Sequence, residues 1–235
     1  MLKKILVIQF SLDKTREHAQ LCLRESCPEA ELVFVNAVEN DVSQINPEIY
    51  DGVILGGSGQ YYLSKGDGLD SWLAPVFKFL DIVFEKNIPI IGICFGCQIL
   101  ALYQGGKVVR DENLQQVGSL ESYVLSGATS DPIFSNLPEK FLANFGHKDT
   151  PINLPDHLVP LTKTDNVPCT AFRVADKKVW GIMFHPELNS QRNKERLAMV
   201  PDYAGNVEDL NRFIDSMVKE TPEANTLLAT FVGVV

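Results

Sequence analysis

The sequence holds no apolar run near the roughly 20 residues that a membrane-spanning helix needs, so no membrane partner is expected. Basic residues are scarce: 21 Lys and Arg stand against 30 Asp and Glu, a formal net charge of −9. That balance denies the chain a broad basic face, so nucleic acid is not an expected partner either. Cysteine occurs at 22, 27, 94, 97 and 169, an odd number with spacings unlike a disulfide scaffold. Cys94 and Cys97 spell one C-x-x-C, with no second one to complete a four-thiolate zinc site. A zinc site of Cys94, Cys97 and His185 lacks a persuasive fourth ligand, and no metal or cofactor is expected. No ATP-binding P-loop spelling occurs. The opening MLKKILVIQF has the lysines of an export signal. Its apolar run is too short, and Asp13, Lys14, Arg16 and Glu17 follow where a cleavage site should be. A first strand and a cytoplasmic location are expected.

The 235 residues, 45% hydrophobic, suit one α/β domain over 1–235. Strands are expected at Leu2–Phe10, Leu32–Val35, Gly52–Leu55 and Ile88–Ile93. Helices are expected from Asp13, as N-cap, to Ser26, at Trp72–Glu85 and from Gly96 to Tyr103. This alternation predicts a parallel sheet with helices on both sides. Further strands are expected at Lys107–Arg110, Val117–Leu125, Lys140–Phe145, Leu158–Thr162, Thr170–Val174 and Val179–Phe184. Helices are sparse there, which points to an antiparallel extension. Helices close the chain at Asn189–Val200 and Val207–Lys219, and an apolar tail from Pro222 to Val235 should pack on the body.

The most informative segment is Gly92-Ile93-Cys94-Phe95-Gly96, a G-x-C-x-G between a buried strand and a helix. It is the cysteine form of the strand–turn–helix nucleophile elbow. A tight turn strains the nucleophile's backbone and leaves no room for bulk beside it, which the two glycines satisfy. The sulfur then stands at a helix N-terminus, whose positive dipole end favours the nucleophilic thiolate. The free N–H of Phe95 can donate to an oxyanion. The competing readings are a buried structural cysteine and a redox dithiol with Cys97. The dithiol lacks the usual Trp and Pro companions.

Of the four histidines, at 18, 147, 157 and 185, one ends an apolar strand in His185-Pro186-Glu187. In an extended segment i and i+2 share a side, so Glu187 can fix the imidazole while its other nitrogen faces Cys94. A lone strand-end histidine is ordinarily structural; the upstream elbow makes His185 the candidate base.

Gly92-Ile93-Cys94-Phe95-Gly96-Cys97-Gln98 followed by His185-Pro186-Glu187 resembles the class I, triad-type glutamine amidotransferases, and in particular the glutaminase domain of GMP synthase. The resemblance implies a flavodoxin-like α/β fold, a central mostly parallel sheet flanked by helices with a smaller antiparallel extension. It implies a triad of Cys94, His185 and Glu187, a γ-glutamyl thioester and released ammonia. Leu55-Gly56-Gly57-Ser58-Gly59 resembles the family's oxyanion strand, which gives Gly57 a place beside Phe95 in the oxyanion hole and Gly56 one near the substrate. Gln98 matches a residue that holds bound glutamine. Gly146-His147-Lys148-Asp149 resembles the segment that receives the substrate's α-groups, although Gly146 stands where the family has serine and Lys148 where it has glycine.

Three functions follow from these residues. The first is glutamine hydrolysis, alone or with a synthetase subunit that takes the ammonia. The second is a γ-glutamyl peptidase or hydrolase using the same triad on a larger γ-glutamyl compound. The third is a catalytically silent regulatory module on the same fold.

Overall fold

The computed structural model describes residues 2–200 and 210–235. Eleven strands run along the described chain: β1 (Lys3–Gln9), β2 (Ala30–Asn36), β3 (Gly52–Leu55), β4 (Ile90–Ile93), β5 (Lys107–Arg110), β6 (Gln116–Val124), β7 (Lys140–His147), β8 (Asp149–Ile152), β9 (Leu158–Lys163), β10 (Ala171–Val174) and β11 (Val179–Ile182). Nine of them form one sheet in the order β2-β1-β3-β4-β11-β10-β9-β6-β7, while β5 and β8 pair separately. The pairs from β2 through β11 are parallel and those from β11 through β7 are antiparallel. This is the mostly parallel flavodoxin-like centre with an antiparallel extension that the sequence predicts.

The parallel strands are apolar on both faces because helices cover both. Ile5 to Ile8, Val53 to Leu55 and Ile90 to Ile91 are fully buried. The helices are α1 (Thr15–Ser26), α2 (Leu73–Glu85), α3 (Phe95–Tyr103), α4 (Ser190–Met199), α5 (Leu210–Met217), α6 (Pro222–Asn225) and α7 (Leu227–Val234). Neighbouring residues of β11 show the two layers. The Trp180 ring meets Phe231 of α7 at 6.1 Å. A Cβ on Gly181, pointing the other way, would lie 2.9 Å from Cys97 Sγ of α3. The tail therefore packs on the body, with Leu227, Leu228, Phe231 and Val232 buried.

Several local expectations shift. Helix α1 starts at Thr15, and Asp13 holds its entrance by accepting from the N–H and Oγ1 of Thr15 at 2.9 and 2.5 Å. Asn189 caps α4 by accepting from the Arg192 N–H at 2.9 Å. The first residues of the helix expected at 207–219 lie outside the described residues; the described part is α5. The sequence reading has no counterpart of β8. Proline at 151 hides it, and it pairs only with β5 at an edge, where proline is tolerated.

The chain leaves β1 for β2 on one side and returns to β3 on the other. That reversal is the switch point at which open α/β sheets bind ligands, beyond the carboxyl ends of their strands. Gly56 and Gly57 follow β3, Cys94 follows β4, and His185 lies just past β11.

Candidate active site

Cys94 sits between the last residue of β4 and the first of α3 with φ 48° and ψ −97°. A non-glycine residue held there costs about 1–3 kcal/mol, which the surrounding structure must offset. Its N–H donates to Ile182 O at 2.7 Å and its carbonyl accepts from Gln98 N–H at 3.0 Å. The flanking glycines are required by space. A Cβ on Gly96 would fall 2.2 Å from Leu55 O, and one on Gly92 would fall 2.5 Å from Gly96 O. Helix α3 thus starts hard against β3, and Gly96 N–H donates to Gly56 O at 3.1 Å. Beneath the turn, Phe95 packs edge-on against Phe10 at 5.4 Å, with Trp72 at 6.1 Å from Phe95 and 5.7 Å from Phe10. This aromatic floor fixes the residue after the cysteine.

His185 and Glu187 do meet, with Nδ1 donating to Oε1 at 2.7 Å. The geometry differs from the extended pair expected from the sequence. β11 ends at Ile182, and Leu188 N–H returns to His185 O at 3.2 Å, so the pair forms across a turn. Asn144, buried in β7, anchors that turn twice. Its carbonyl accepts from His185 N–H at 2.7 Å and its Nδ2 donates to Leu188 O at 2.7 Å. Asn225 adds donations to Pro186 O and Leu188 O at 2.8 and 2.9 Å, and Ser26 Oγ donates to Glu187 O at 3.3 Å.

A carboxylate only accepts, so Nδ1 carries a proton and Nε2 faces the cysteine side. A Cβ on Gly146 would lie 4.0 Å from Nε2, and the Cys94 thiol approaches Gly146 O at 3.9 Å. The thiol and the ring thus flank the same Gly146 backbone. Burial works against a charge on the ring, but the Glu187 carboxylate and the Cys94 sulfur outweigh it and raise the imidazole to about 10. Burial likewise disfavours the Glu187 carboxylate, and the His185 charge and hydrogen bond overcome it, so the carboxyl is held below its ordinary value. The ring is therefore an imidazolium at neutral pH, poised beside sulfur.

Gly57 lies against both side chains: a Cβ there would stand 3.2 Å from His185 Cε1 and 3.8 Å from Cys94 Cβ. Among the described residues no acceptor takes the N–H of Gly57 or of Phe95. Gln98 and Gly146 line the cleft on the Cys94 side, with Ser58, Tyr61 and Tyr62. The Gln98 amide donates to Asp149 O at 3.0 Å. His147 borders the same cleft, but its ring is turned away, with Nε2 at 3.2 Å from Gln116 Oε1 and Nδ1 at 3.4 Å from Thr150 Oγ1. Burial, then the nearby His185 charge, lowers that ring to about 3, so it is neutral. Gly56 is not brought to the cleft. Its N–H is spent on Ile8 O at 2.9 Å and its carbonyl on Gly96, so it extends the sheet. Cys97 is buried behind α3, where burial, then the charges of Cys169 and Cys94, raise its thiol well above normal.

Asp149, unassigned in the sequence reading beyond its place in Gly146-His147-Lys148-Asp149, ties the rim together. Its Oδ1 accepts from Arg110 Nε and Nη2 at 3.0 and 2.9 Å, and its Oδ2 accepts from Ser64 N–H at 3.0 Å. The Arg110 guanidinium lies 4.1 Å from the Tyr62 ring centre. Two charge-assisted donations to one oxygen and a backbone N–H on the other compensate a carboxylate that is only 2% exposed. Among the described residues, no group of three or more His, Cys, Asp or Glu side chains is gathered as metal ligands would be. No described helix is long and apolar enough to cross a membrane.

The family model described as Glutamine amidotransferase class-I matches residues 22–199. Among curated relatives, "GMP synthase [glutamine-hydrolyzing]" of Thermosipho melanesiensis is 31% identical over 180 residues, covering 75% of this chain and 32% of the relative. The protein of the same name from Helicobacter pylori is 34% identical over 185 residues, covering 78% and 32%. The chain thus spans about a third of the length of these relatives. A crystal structure of a glutamine amidotransferase from Thermotoga maritima covers 100% of this chain and 98% of its own, with a TM-score of 0.79 at 20% identity. At that identity the likeness is one of fold. Because the family match runs through both the Cys94 elbow and the His185 turn, the chain belongs to the class I glutamine amidotransferases.

Proposed function

We propose that this chain hydrolyses the side-chain amide of glutamine to glutamate and ammonia, with Cys94 as nucleophile, His185 as proton carrier and Glu187 as the group that orients it. The observation that carries the reading is the His185 ring, fixed by Glu187 on one side, with Gly57 and Gly146 lying against both it and Cys94 on the other. The sulfur, as thiolate, attacks the amide carbon. The carbonyl oxygen becomes an oxyanion in reach of the N–H groups of Gly57 and Phe95. The C–N bond then breaks, and the nitrogen leaves as ammonia with a proton from His185. A γ-glutamyl thioester remains on Cys94. The neutral ring takes a proton from water, the hydroxide attacks the thioester, and glutamate departs as sulfur and imidazolium are restored. Gln98 and the backbone around Gly146 and His147 hold the substrate. A synthetase that consumes ammonia is the partner this reaction calls for. Support comes from the relatives, whose names pair GMP synthesis with glutamine hydrolysis and whose length is about three times the matched region.

The test is ammonia release from glutamine by the purified chain and by Cys94→Ala, beside a panel of γ-glutamyl dipeptides. Glutamine turnover that falls by several orders of magnitude in the variant supports the proposal, by analogy with triad knockouts of roughly 10⁶-fold. Dipeptide turnover with negligible glutamine turnover replaces glutamine by a γ-glutamyl peptide as substrate. No turnover of either, with cell extract added to supply a partner, rejects an enzymatic role.

A further inference from the structure

Among the buried polar atoms with no hydrogen-bond partner are Glu187 Oε2, in the triad, and Arg196 Nη2, outside it and beyond ion-pair distance of the carboxylate. They belong to opposite charges. Arg196 projects from α4 and borders the small cavity that also touches His185 and Gly146. Its Nε donates to His18 Nδ1 of α1 at 3.2 Å. Because that nitrogen accepts, the other one, Nε2, carries the proton and donates to Glu195 Oε2 at 3.3 Å. His18 is thus a neutral ring that aims a guanidinium. Burial, then the Arg196 charge itself, lowers its pKa, which agrees with that tautomer.

We infer that Arg196 is a positioning residue for the triad: its charge compensates the unpaired Oε2 of Glu187 and keeps that carboxylate turned to His185, with His18 setting the guanidinium's direction. The inference rests on the proposed triad and extends the site to the α1–α4 contact. The other titratable groups facing Glu187 are few. His185 binds its Oε1. From α1 and its end, Cys22 and Cys27 face it as neutral thiols, each raised to about 12 by burial and then by the Glu187 charge. Arg196 is a further cation acting on this carboxylate, and its presence lowers the Glu187 pKa.

The readout is the rate of Cys94 alkylation by iodoacetamide as a function of pH, which needs no glutamine. Removing the guanidinium in Arg196→Gln lets Glu187 take a proton at higher pH and weakens its hold on the imidazolium. The acid limb of the profile should move up by about one pH unit, a roughly tenfold slower reaction on that limb. Arg196→Lys, which keeps the charge, should restore most of it. Glu25→Gln, which breaks the half-exposed ion pair with Arg192 at the far end of the same cluster, should leave the profile in place. Thermal melts establish that each variant is folded. Should Arg196→Gln fail to fold, His18→Ala, which releases the guanidinium while retaining it, must shift the limb in the same direction. A folded Arg196→Gln with the native profile overturns the inference, as does an Arg196→Lys profile no better than that of Arg196→Gln. A shifted profile in a chain inactive on glutamine leaves the inference standing and removes the glutaminase reading; normal glutamine turnover with an unshifted profile does the reverse.

Discussion

Replacing Gly96 by alanine sets two effects of opposite sign against each other. Alanine in a helix is favoured over glycine by roughly 0.5–1 kcal/mol on backbone entropy alone, and Gly96 is the second residue of α3. Against this, the new Cβ would stand 2.2 Å from Leu55 O, 2.6 Å from Leu55 Cβ and 2.7 Å from Leu55 C. None of these is the end of a flexible side chain, so the backbone of β3 or of α3 must retreat by roughly 1 Å. Overpacking of this kind costs about 1–3 kcal/mol, enough to reverse the entropic gain. The retreat also breaks the Gly96 N–H bond to Gly56 O and carries Gly57 away from Phe95. A displacement of about 1 Å in a positioned group can cost 10²-fold in rate. Urea unfolding of Gly96→Ala should therefore show a loss of about 1–2 kcal/mol, and ammonia release should fall by roughly two orders of magnitude. A variant as stable as the native chain and fully active would refute the claim that contact between β3 and α3 sets the two N–H groups.

Two further outcomes follow from burial. His147 is neutral in the fold, its pKa lowered to about 3 by burial first and the His185 charge second, while in the unfolded chain it takes a proton near 6.5. Its contribution is therefore present above 6.5 and is lost as pH falls from there toward 3, so His147→Gln should flatten the decline of folding stability in that window, measured by urea unfolding at successive pH values. Deleting residues 227–235 removes four buried side chains, Leu227, Leu228, Phe231 and Val232, each contributing about 1.5–3 kcal/mol. Their sum rivals the 5–15 kcal/mol that holds a typical domain together. The truncated chain should be insoluble, or should show no cooperative thermal transition.

The parts of the site that could be read from the sequence are those whose chemistry is local. Gly92, Cys94 and Gly96 announce an elbow because close approach excludes bulk within a few residues, and an apolar run before them with a helix after them supplies the context. His185 and Glu187 were legible as a pair for the wrong local reason. Two residues apart they meet in a strand and also across a turn, and the turn is chosen by Asn144, Asn225 and Ser26, which are distant in sequence. Arg196 gave no signal, since an arginine in the polar segment SQRNKERLAM reads as a solvated helix face until α1 is packed against it. Gly56 misled by its neighbour: in a run of glycines the sequence does not say which N–H is spent on the sheet. The strand at Asp149–Ile152 was hidden because, among the described residues, its only partner is β5, which lies outside the main sheet.

Cys94 and His185 are separated by most of a domain along the chain, yet they issue from adjoining strands. Ile93 pairs with Ile182 in parallel register, so the sulfur and the imidazole begin their approach from the same rung of one ladder. The span between sulfur and imidazole starts from the width of a hydrogen-bonded strand pair and is completed by the turn that Asn144 anchors, whatever the length of chain between the strands. Residues 153–157, which join β8 to β9 far from that rung, can be lengthened, shortened or reshaped to suit a different neighbour without altering the pairing of β4 with β11. A slip of a single residue between β4 and β11 would instead turn every side chain of one strand to the opposite face and dismantle the pair at once.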